Sequence, residues 1–147
     1  MGFFDAINIS ASGLTAERLR MDVISKNIAN ANTTKTASGA PYRRQVAVFQ
    51  SAEGQAPFSQ YLSDASKELI GGGVKVTAIK EDPTPFKMVY DPGHPDADKD
   101  GYVKMPNVDI MTEMVNMISA SRAYEANITA INTTKGMAMK ALEIGRG

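Results

Sequence analysis

Residues 105–142 read MPNVDIMTEMVNMISASRAYEANITAINTTKGMAMKAL, and this stretch decides the fold. Its side chains follow a heptad pattern, with steps of three and four residues, that lasts for about four heptads. Such a pattern predicts a long helix that packs along its length against other helices. The pattern consists of Met114, Met117, Ser121, Tyr124, Ile128, Ile131, Lys135, Ala138 and Leu142.

The two ends of this helix are marked in the sequence. Pro106 precedes the pattern, Asn107 or Asp109 can cap the first turn, and Gly145 follows the last turn. A helix over 109–142 would be about 50 Å long. A compact domain of 147 residues cannot bury a helix of that length.

The pattern is only half apolar. It includes Ser121 and Lys135, and asparagine and threonine side chains flank it. Its methionines are unbranched and adapt to irregular partners. Because a helix of this kind buries little apolar area alone, we expect it to be weakly stable as a monomer and to require neighbours.

A second heptad pattern occupies residues 3–31 and predicts a second long helix. Its positions are Phe4, Ile7, Ala11, Leu14, Arg18, Met21, Ser25 and Ile28. A polar cluster that includes Asn32 and Thr33 ends it. Both ends of the chain are therefore predicted to be long helices, which can fold back on each other as an antiparallel pair.

The middle of the chain changes to the alternating period of β-strands. Four strands are predicted, at 42–50, 74–80, 86–90 and 102–105, with a loop at 53–67. The predicted fold class is therefore α+β, with two terminal helices packed as an antiparallel coiled-coil-like pair and a small β-rich domain inserted between them. The predicted divisions are an N-terminal helix over 1–34, the β-rich domain over 35–106 and a C-terminal helix over 107–147.

Composition excludes several classes of protein. Sixteen basic and sixteen acidic side chains cancel, so nothing in the net charge favours nucleic acid or an anionic membrane. The chain has no cysteine, which excludes disulfides, thiolate metal sites and a cysteine nucleophile. No apolar run approaches the roughly eighteen residues of a membrane span. The N-terminus lacks a basic region and an apolar core, so no cleaved secretory signal is expected.

The segment DADKDG at 96–101 resembles the start of a calcium-binding loop, because three carboxylates alternate before a glycine. However, the twelfth position is Asn107 rather than a bidentate glutamate, and prolines rather than a helix precede the segment. An aspartate-rich turn between two strands is the preferred interpretation.

No residues form a recognisable catalytic, cofactor or metal site. His94 is the single histidine and has no second imidazole or thiolate with which to share a metal. The glycines at 71–73 lack the lysine and hydroxyl of a phosphate loop. Arg43 and Arg44 are interpreted as a solvated strand edge or a contact with another protein. We therefore predict that the chain is not an enzyme and has no small-molecule substrate.

Two half-polar helices around a thin β region, without a catalytic cluster, describe a subunit of an assembly. If each subunit offers different surfaces to its neighbours, the contacts propagate as a helical tube. The predicted assembly interface consists of Ile7, Leu14, Met21, Ile28, Met114, Met117, Arg122, Tyr124, Glu125, Ile128 and Ile131. Within this set, Arg122 and Glu125 are expected to pair with charges on a neighbour or with Arg18 and Asp22.

Several motifs are similar to those of a known family. NIANANTT at 27–34 followed by PYRRQ at 41–45 resembles the N-terminal signature of bacterial flagellar axial proteins, and SASGL at 10–14 fits the same family. Further segments narrow the resemblance to proximal rod proteins: HPDAD at 94–98, GYV at 101–103, PNV at 106–108, EMV at 113–115 and SRAYEAN at 121–127. The resemblance covers nearly the whole chain apart from 53–70.

The resemblance implies a structural subunit that assembles with copies of itself and with other rod proteins. In that family the terminal helices form the inner core of a helical drive shaft, and the β-rich domain lies outside. The shaft transmits torque from the membrane ring to the hook, and its subunits form part of the export channel wall. The flagellar type III apparatus exports them unfolded, without a cleaved signal peptide, to the basal body, where the rod crosses the periplasm and cell wall.

Two alternatives remain open at this point. One is a sister rod protein of the same axial class, against which the aspartate-rich segment argues. The other is a calcium-binding module, whose thermal unfolding would depend on the metal. Metal-independent unfolding would remove the second alternative.

Overall fold

A computed structural model describes residues 3–52 and 72–145, and it confirms the α+β class. The elements in chain order are helix α1 (Phe3–Ala29), strands β1 (Gln45–Ser51), β2 (Val74–Glu81), β3 (Lys87–Tyr90) and β4 (Tyr102–Met105), and helix α2 (Ile110–Ile144). The predicted loop at 53–67 lies outside the described residues.

All four predicted strands are confirmed, with small differences in their bounds. The largest difference is at β1, which begins three residues after the predicted start at Tyr42. Tyr42 is buried, and its backbone N–H donates to the Thr33 carbonyl at 3.1 Å, so it belongs to the turn after α1. The strands form two pairs, β1 with β2 and β3 with β4.

Both predicted helices are confirmed within a few residues. The Asp109 carboxylate accepts hydrogen bonds from the Met111 backbone N–H at 3.2 Å and from the Thr112 hydroxyl at 2.9 Å. This is the N-cap that the sequence allowed, and these hydrogen bonds, with Thr112 first, hold the pKa of Asp109 below its ordinary value. At the other end, the Gly145 N–H donates to the Ala141 carbonyl. No helix among the described residues is long and apolar enough to cross a membrane.

The chain divides into two compact units, each built from separate stretches of sequence. Unit 1 contains Met1–Leu19, Phe49–Thr77 and Ala120–Gly147, and unit 2 contains Arg20–Val48 and Ala78–Ser119. Each helix contributes to both units. The predicted division at 34 and 106 separates helices from strands instead, and it stays a prediction.

In unit 1 the buried positions described on the two helices carry small side chains or none. Ala16 and Ala120 are buried, and so is Gly13. A Cβ atom added at Gly13 would lie 3.0 Å from the side-chain amide of Asn127. The absence of a side chain at Gly13 therefore permits a close approach of α1 to α2.

Unit 2 has its own small core of Ala31, Tyr42 and Val108, and it also contains the hairpin of β3 and β4. The strands are antiparallel, with Tyr90 opposite Tyr102 and Val89 opposite Val103. One face of the hairpin turns inward, since Val103 is only 2% exposed. The outer face carries Tyr90 and Tyr102, whose rings meet edge to face with centroids 5.3 Å apart.

The helix contacts show that α1 and α2 run antiparallel, as predicted. Gly13 lies against Asn127, and Asn27 donates a hydrogen bond to Glu113. A move of fourteen residues forward along α1, from Gly13 to Asn27, thus corresponds to fourteen residues backward along α2. The buried positions Glu113 and Ala120 lie one residue before the heptad positions Met114 and Ser121.

Candidate functional site

The most distinctive site in the described part of the chain is a buried polar cluster in unit 2. We call it the polar junction because it joins the end of α1, the start of α2 and the chain around β1 and β2. Its members are Asn27, Tyr42, Arg44, Gln45, Asp82, Asn107 and Glu113.

Asn27 lies at the centre of the polar junction and is fully buried. Its amide nitrogen donates to the Gln45 carbonyl and to Glu113 Oε2, both at 2.8 Å. Its amide oxygen accepts from the Tyr42 hydroxyl and from the Gln45 N–H, both at 2.9 Å. An asparagine side chain offers two donors and two acceptor sites, so these four bonds satisfy it completely.

Glu113 is the buried charge of the polar junction, with 1% of its surface exposed. Its Oε1 accepts from Arg44 Nε at 3.0 Å and from Arg44 Nη2 at 2.8 Å, while Oε2 accepts from Asn27. The two bonds from one guanidinium converge on a single carboxylate oxygen, and they balance the charge of Glu113 while restricting its orientation. The carboxylate is therefore held from α1 and from the chain before β1 at the same time.

Arg44 extends the polar junction to the chain that follows β2. Its Nη1 donates to Asp82 Oδ2 at 3.0 Å, and its backbone N–H donates to Asn107 Oδ1 at 2.8 Å. The Asn107 amide in turn donates to the Thr84 hydroxyl at 2.8 Å. Each segment is thus bound to at least one other through a side chain.

The charges of the polar junction shift one another's ionisation. Burial alone would lower the pKa of Arg44, but its bonds to Glu113 and Asp82 outweigh burial and raise it. Hydrogen bonds from Thr84, and then from Arg44, hold the pKa of Asp82 below its ordinary value. Burial, and then the charge of Glu113, raises the pKa of Tyr42. The site therefore favours charged Arg44 and Asp82 beside a neutral Tyr42.

The polar junction joins segments that are distant in the sequence through side-chain hydrogen bonds. In the described ranges, 3–52 and 72–145, no group of three or more histidine, aspartate or glutamate side chains is placed to hold a metal ion. The arrangement can hold separate segments in one fixed geometry.

The aspartate-rich segment forms a hydrogen-bonded turn between β3 and β4. Asp98 Oδ1 accepts from the N–H groups of Asp100 and Tyr102, at 3.0 and 2.9 Å. Asp96 accepts from Thr34, and its own N–H donates to His94 Nδ1. These polar groups bind within the turn and to the chain after α1, in keeping with the preferred interpretation of this segment.

The residues of the predicted assembly interface all retain exposed surface in the single chain. Met114 is 50% exposed and Ile128 is 38% exposed, whereas Arg122 and Glu125 are exposed on the same helix. The remaining interface residues are half-buried: Ile7, Leu14, Met21, Ile28, Met117, Tyr124 and Ile131. Contact of these residues with another subunit stays a prediction.

The start of α2 exposes further apolar side chains beside Met114. Ile110, Met111, Val115 and Ile118 are between 43% and 71% exposed. The pairing suggested for Arg122 and Glu125, with charges on a neighbour or with Arg18 and Asp22, stays a prediction.

The interpretation of Arg43 and Arg44 as a solvated strand edge was wrong. Arg44 binds Glu113 and Asp82, while Arg43 donates to the Asp82 and Thr84 carbonyls and lies 4.4 Å over the Phe86 ring. The sequence does not indicate that Arg44 binds carboxylates, because Asp82 and Glu113 are distant from it along the chain.

Sequence reasoning also missed the polar junction. Asn27, Tyr42, Arg44 and Glu113 each belong to a motif of the sequence, but the motifs do not indicate that these four side chains meet. The available signal was the polar side chain of Asn27, which lies one position before Ile28 of the heptad pattern.

Comparisons with known proteins agree with this architecture. Residues 7–35 match the family described as flagella basal body rod protein, and residues 99–144 match the family described as flagellar basal body rod FlgEFG protein C-terminal. The two matches cover most of α1 and the span from β4 to the end of α2.

Relatives that match over nearly their full length show to which family of rod proteins the chain is related. The flagellar basal-body rod protein FlgC of Bacillus subtilis is 51% identical over 152 residues, which cover 99% of this chain and all of that protein. FlgC of Borreliella burgdorferi is 50% identical over the whole of both chains, and FlgC of Salmonella typhimurium is 44% identical over 99% of this chain. The chain therefore belongs to the FlgC family of flagellar basal-body rod proteins, which are structural subunits of the flagellum.

Proposed function

We propose that this chain, a structural subunit of the flagellar basal-body rod, transmits torque through contacts between its terminal helices and those of neighbouring subunits. The observation that carries this proposal is the full-length relationship to FlgC, together with the apolar surface that α2 leaves exposed. The chain assembles with other rod components. We propose that it also assembles with copies of itself, and that it forms part of the shaft that rotates between the membrane ring and the hook.

The exposed apolar side chains support assembly through the helices. Met111, Val115 and Ile118 lie on the first turns of α2, and each is more than half exposed. Side chains of this size gain free energy when a neighbour covers them, by about 25 cal/mol for each Å² removed from water. Many small contacts of this kind add up along a helix, so that the interface resists twisting.

The middle of α2 supports a role in the wall of the export channel. Thr129 and Thr133 are exposed, and their hydroxyls donate to the carbonyls of Glu125 and Thr129, at 2.9 and 2.8 Å. Because each of these two hydroxyls is already bound to its own helix, neither offers a free donor to a passing chain. A wall of this kind would let an unfolded subunit slide past.

The remaining parts of the proposal concern export and chemistry. The resemblance to axial proteins supports export through the flagellar type III apparatus, without a cleaved signal peptide, to the rod in the periplasm and cell wall. We propose no enzymatic activity, no nucleic-acid or small-molecule partner and no insertion into the membrane.

Cryo-tomography of cells that lack the chain tests this function, with complemented cells as the control. The proposal predicts that the membrane ring and export apparatus remain, while rod and hook are absent until the chain is restored. Intact basal bodies in the deleted cells would overturn it.

A further inference from the structure

We infer that Asn27, through its bond to Glu113, sets the register in which α1 and α2 pair. This inference goes beyond the rod function and does not depend on it, because it concerns how the chain selects one pairing of its own helices. Asn27 and Glu113 act as positioning residues, since they fix the helices rather than contact a partner.

In unit 1 the buried apolar positions of the helices discriminate poorly between registers. The buried helix positions described in this unit are Gly13, Ala16 and Ala120, whose side chains are small or absent. Small residues allow close approach but leave few shaped contacts, so a slide of one heptad would place similar surfaces together. Such a slide moves one helix by about 10 Å along the other.

The polar junction discriminates strongly between registers, because the hydrogen bond from Asn27 to Glu113 can form in one register only. A slide in one direction places Asn27 opposite Ala120 instead of Glu113, and a slide in the other places it opposite Pro106. Either slide leaves a buried amide and a buried carboxylate without their shared bond. A buried asparagine is known to specify the register of paired helices in this way.

Engineered cysteines can report the register, since the chain contains none of its own. The pair Gly13→Cys with Asn127→Cys reports the observed register, because these positions are in contact. Gly13→Cys with Thr134→Cys and Gly13→Cys with Ala120→Cys report the two slides of one heptad. Each pair is placed in the full-length chain, which is oxidised at low concentration. Intramolecular disulfides are then counted by mass spectrometry after digestion.

The decisive variants change the charge at Asn27. Asn27→Asp places a second carboxylate against Glu113, and Asn27→Asp with Glu113→Gln restores a donor between them. We expect the ratio of observed-register to slid-register disulfides to fall about tenfold or more in the single variant, and to recover to within about threefold in the double variant. Asn30→Asp is the matched control, because in the described part of the chain the Asn30 side chain bonds to the nearby Lys26 and Thr33 and not to α2.

Three outcomes would overturn the inference. The ratio could stay unchanged in Asn27→Asp while the melting temperature falls, which would mean that Asn27 stabilises the fold without selecting the register. The double variant could fail to recover, including the case in which neither variant forms any of the disulfides. The chain with the native junction could form the slid-register disulfides as readily as the pair at 13 and 127.

Discussion

Glu113 shows at the scale of one residue why the polar junction is sensitive to substitution. Its carboxylate is almost fully buried and accepts two bonds from Arg44. A buried ion pair adds little stability compared with apolar packing, but loss of one partner leaves a charge that nothing balances. Removal of one partner should therefore lower the stability of the fold by much more than the intact ion pair adds to it.

Removal of the Arg44 side chain tests this asymmetry. Arg44→Ala should lower the free energy of unfolding by about 3 kcal/mol, because it removes the positive charge beside Glu113. Among the described residues, Glu113 then keeps its bond from Asn27 and a weaker contact with Asn116. Urea unfolding of the full-length chain, followed by far-UV circular dichroism, measures the loss. Arg43→Ala is the matched control and should lower the free energy of unfolding by about 1 kcal/mol. It removes the donor to two carbonyls and the contact with the Phe86 ring, but it leaves no buried charge unpaired. Equal losses would contradict the account.

Tyr42 gives the polar junction a dependence on alkaline pH. Its pKa in the folded chain is raised above the ordinary 10.0, so its stabilisation is complete below that value and is lost as pH rises. Tyr42→Phe should lower the free energy of unfolding by about 1 kcal/mol at neutral pH, because the bond to Asn27 is lost. The difference in free energy of unfolding between this variant and the natural chain should shrink above about pH 10. Thermal unfolding across pH 7 to 11 measures both effects. Tyr90→Phe, at an exposed hydroxyl, should change neither, and a pH-independent cost at Tyr42 would contradict the prediction.

At the scale of the element, the positions of the two helices could be predicted from sequence more reliably than which face of each helix is buried. Steps of three and four residues placed α1 and α2 correctly, because a heptad period identifies any amphipathic helix. The pattern includes positions that are exposed in the single chain, such as Met114, whereas the positions buried within the chain include the polar Asn27 and Glu113. A hydropathy pattern cannot show that a polar side chain is buried, because its partners come from distant parts of the sequence.

Two glycines on the helices should respond in opposite ways to the same substitution. Gly136→Ala has open space around it and should stabilise α2 by up to about 1 kcal/mol through helix propensity. Gly13→Ala gains the same propensity, but its Cβ would lie 3.0 Å from Asn127, so the side chain or the helix must move. We expect Gly13→Ala to be neutral or destabilising in thermal unfolding. A gain as large as that of Gly136→Ala would show that the helices do not meet closely at Gly13.

At the scale of the whole molecule, the chain leaves large apolar side chains in water that a monomer would not need to expose. They lie on α2 at both ends, from Met111 to Ile118 and from Met137 to Ile144. A rod subunit assembles with other rod components, and we expect these components to cover the exposed surfaces of α2.

A charge on this surface should stop assembly. Ile128→Asp places a carboxylate in a contact that we expect to be apolar, and the cost of burying it should abolish motility. Expansion of swarms on soft agar measures motility, with immunoblots to confirm that the chain is present. Asn132→Asp adds the same charge to an exposed polar position on α2 and should leave swarming largely intact. Full motility of the Ile128→Asp strain would remove Ile128 from the interface.

The central claim is that exposed side chains of the helices become buried between subunits of the rod. Because the chain has no cysteine, Met114→Cys and Ile128→Cys can each be labelled with a maleimide, in the free full-length chain and in isolated basal bodies. Lys99→Cys, in the turn between β3 and β4, controls for access of the reagent. The account predicts rapid labelling of all three positions in the free chain, and protection of positions 114 and 128, but not 99, in basal bodies. Equally rapid labelling of 114 and 128 in both states would contradict it.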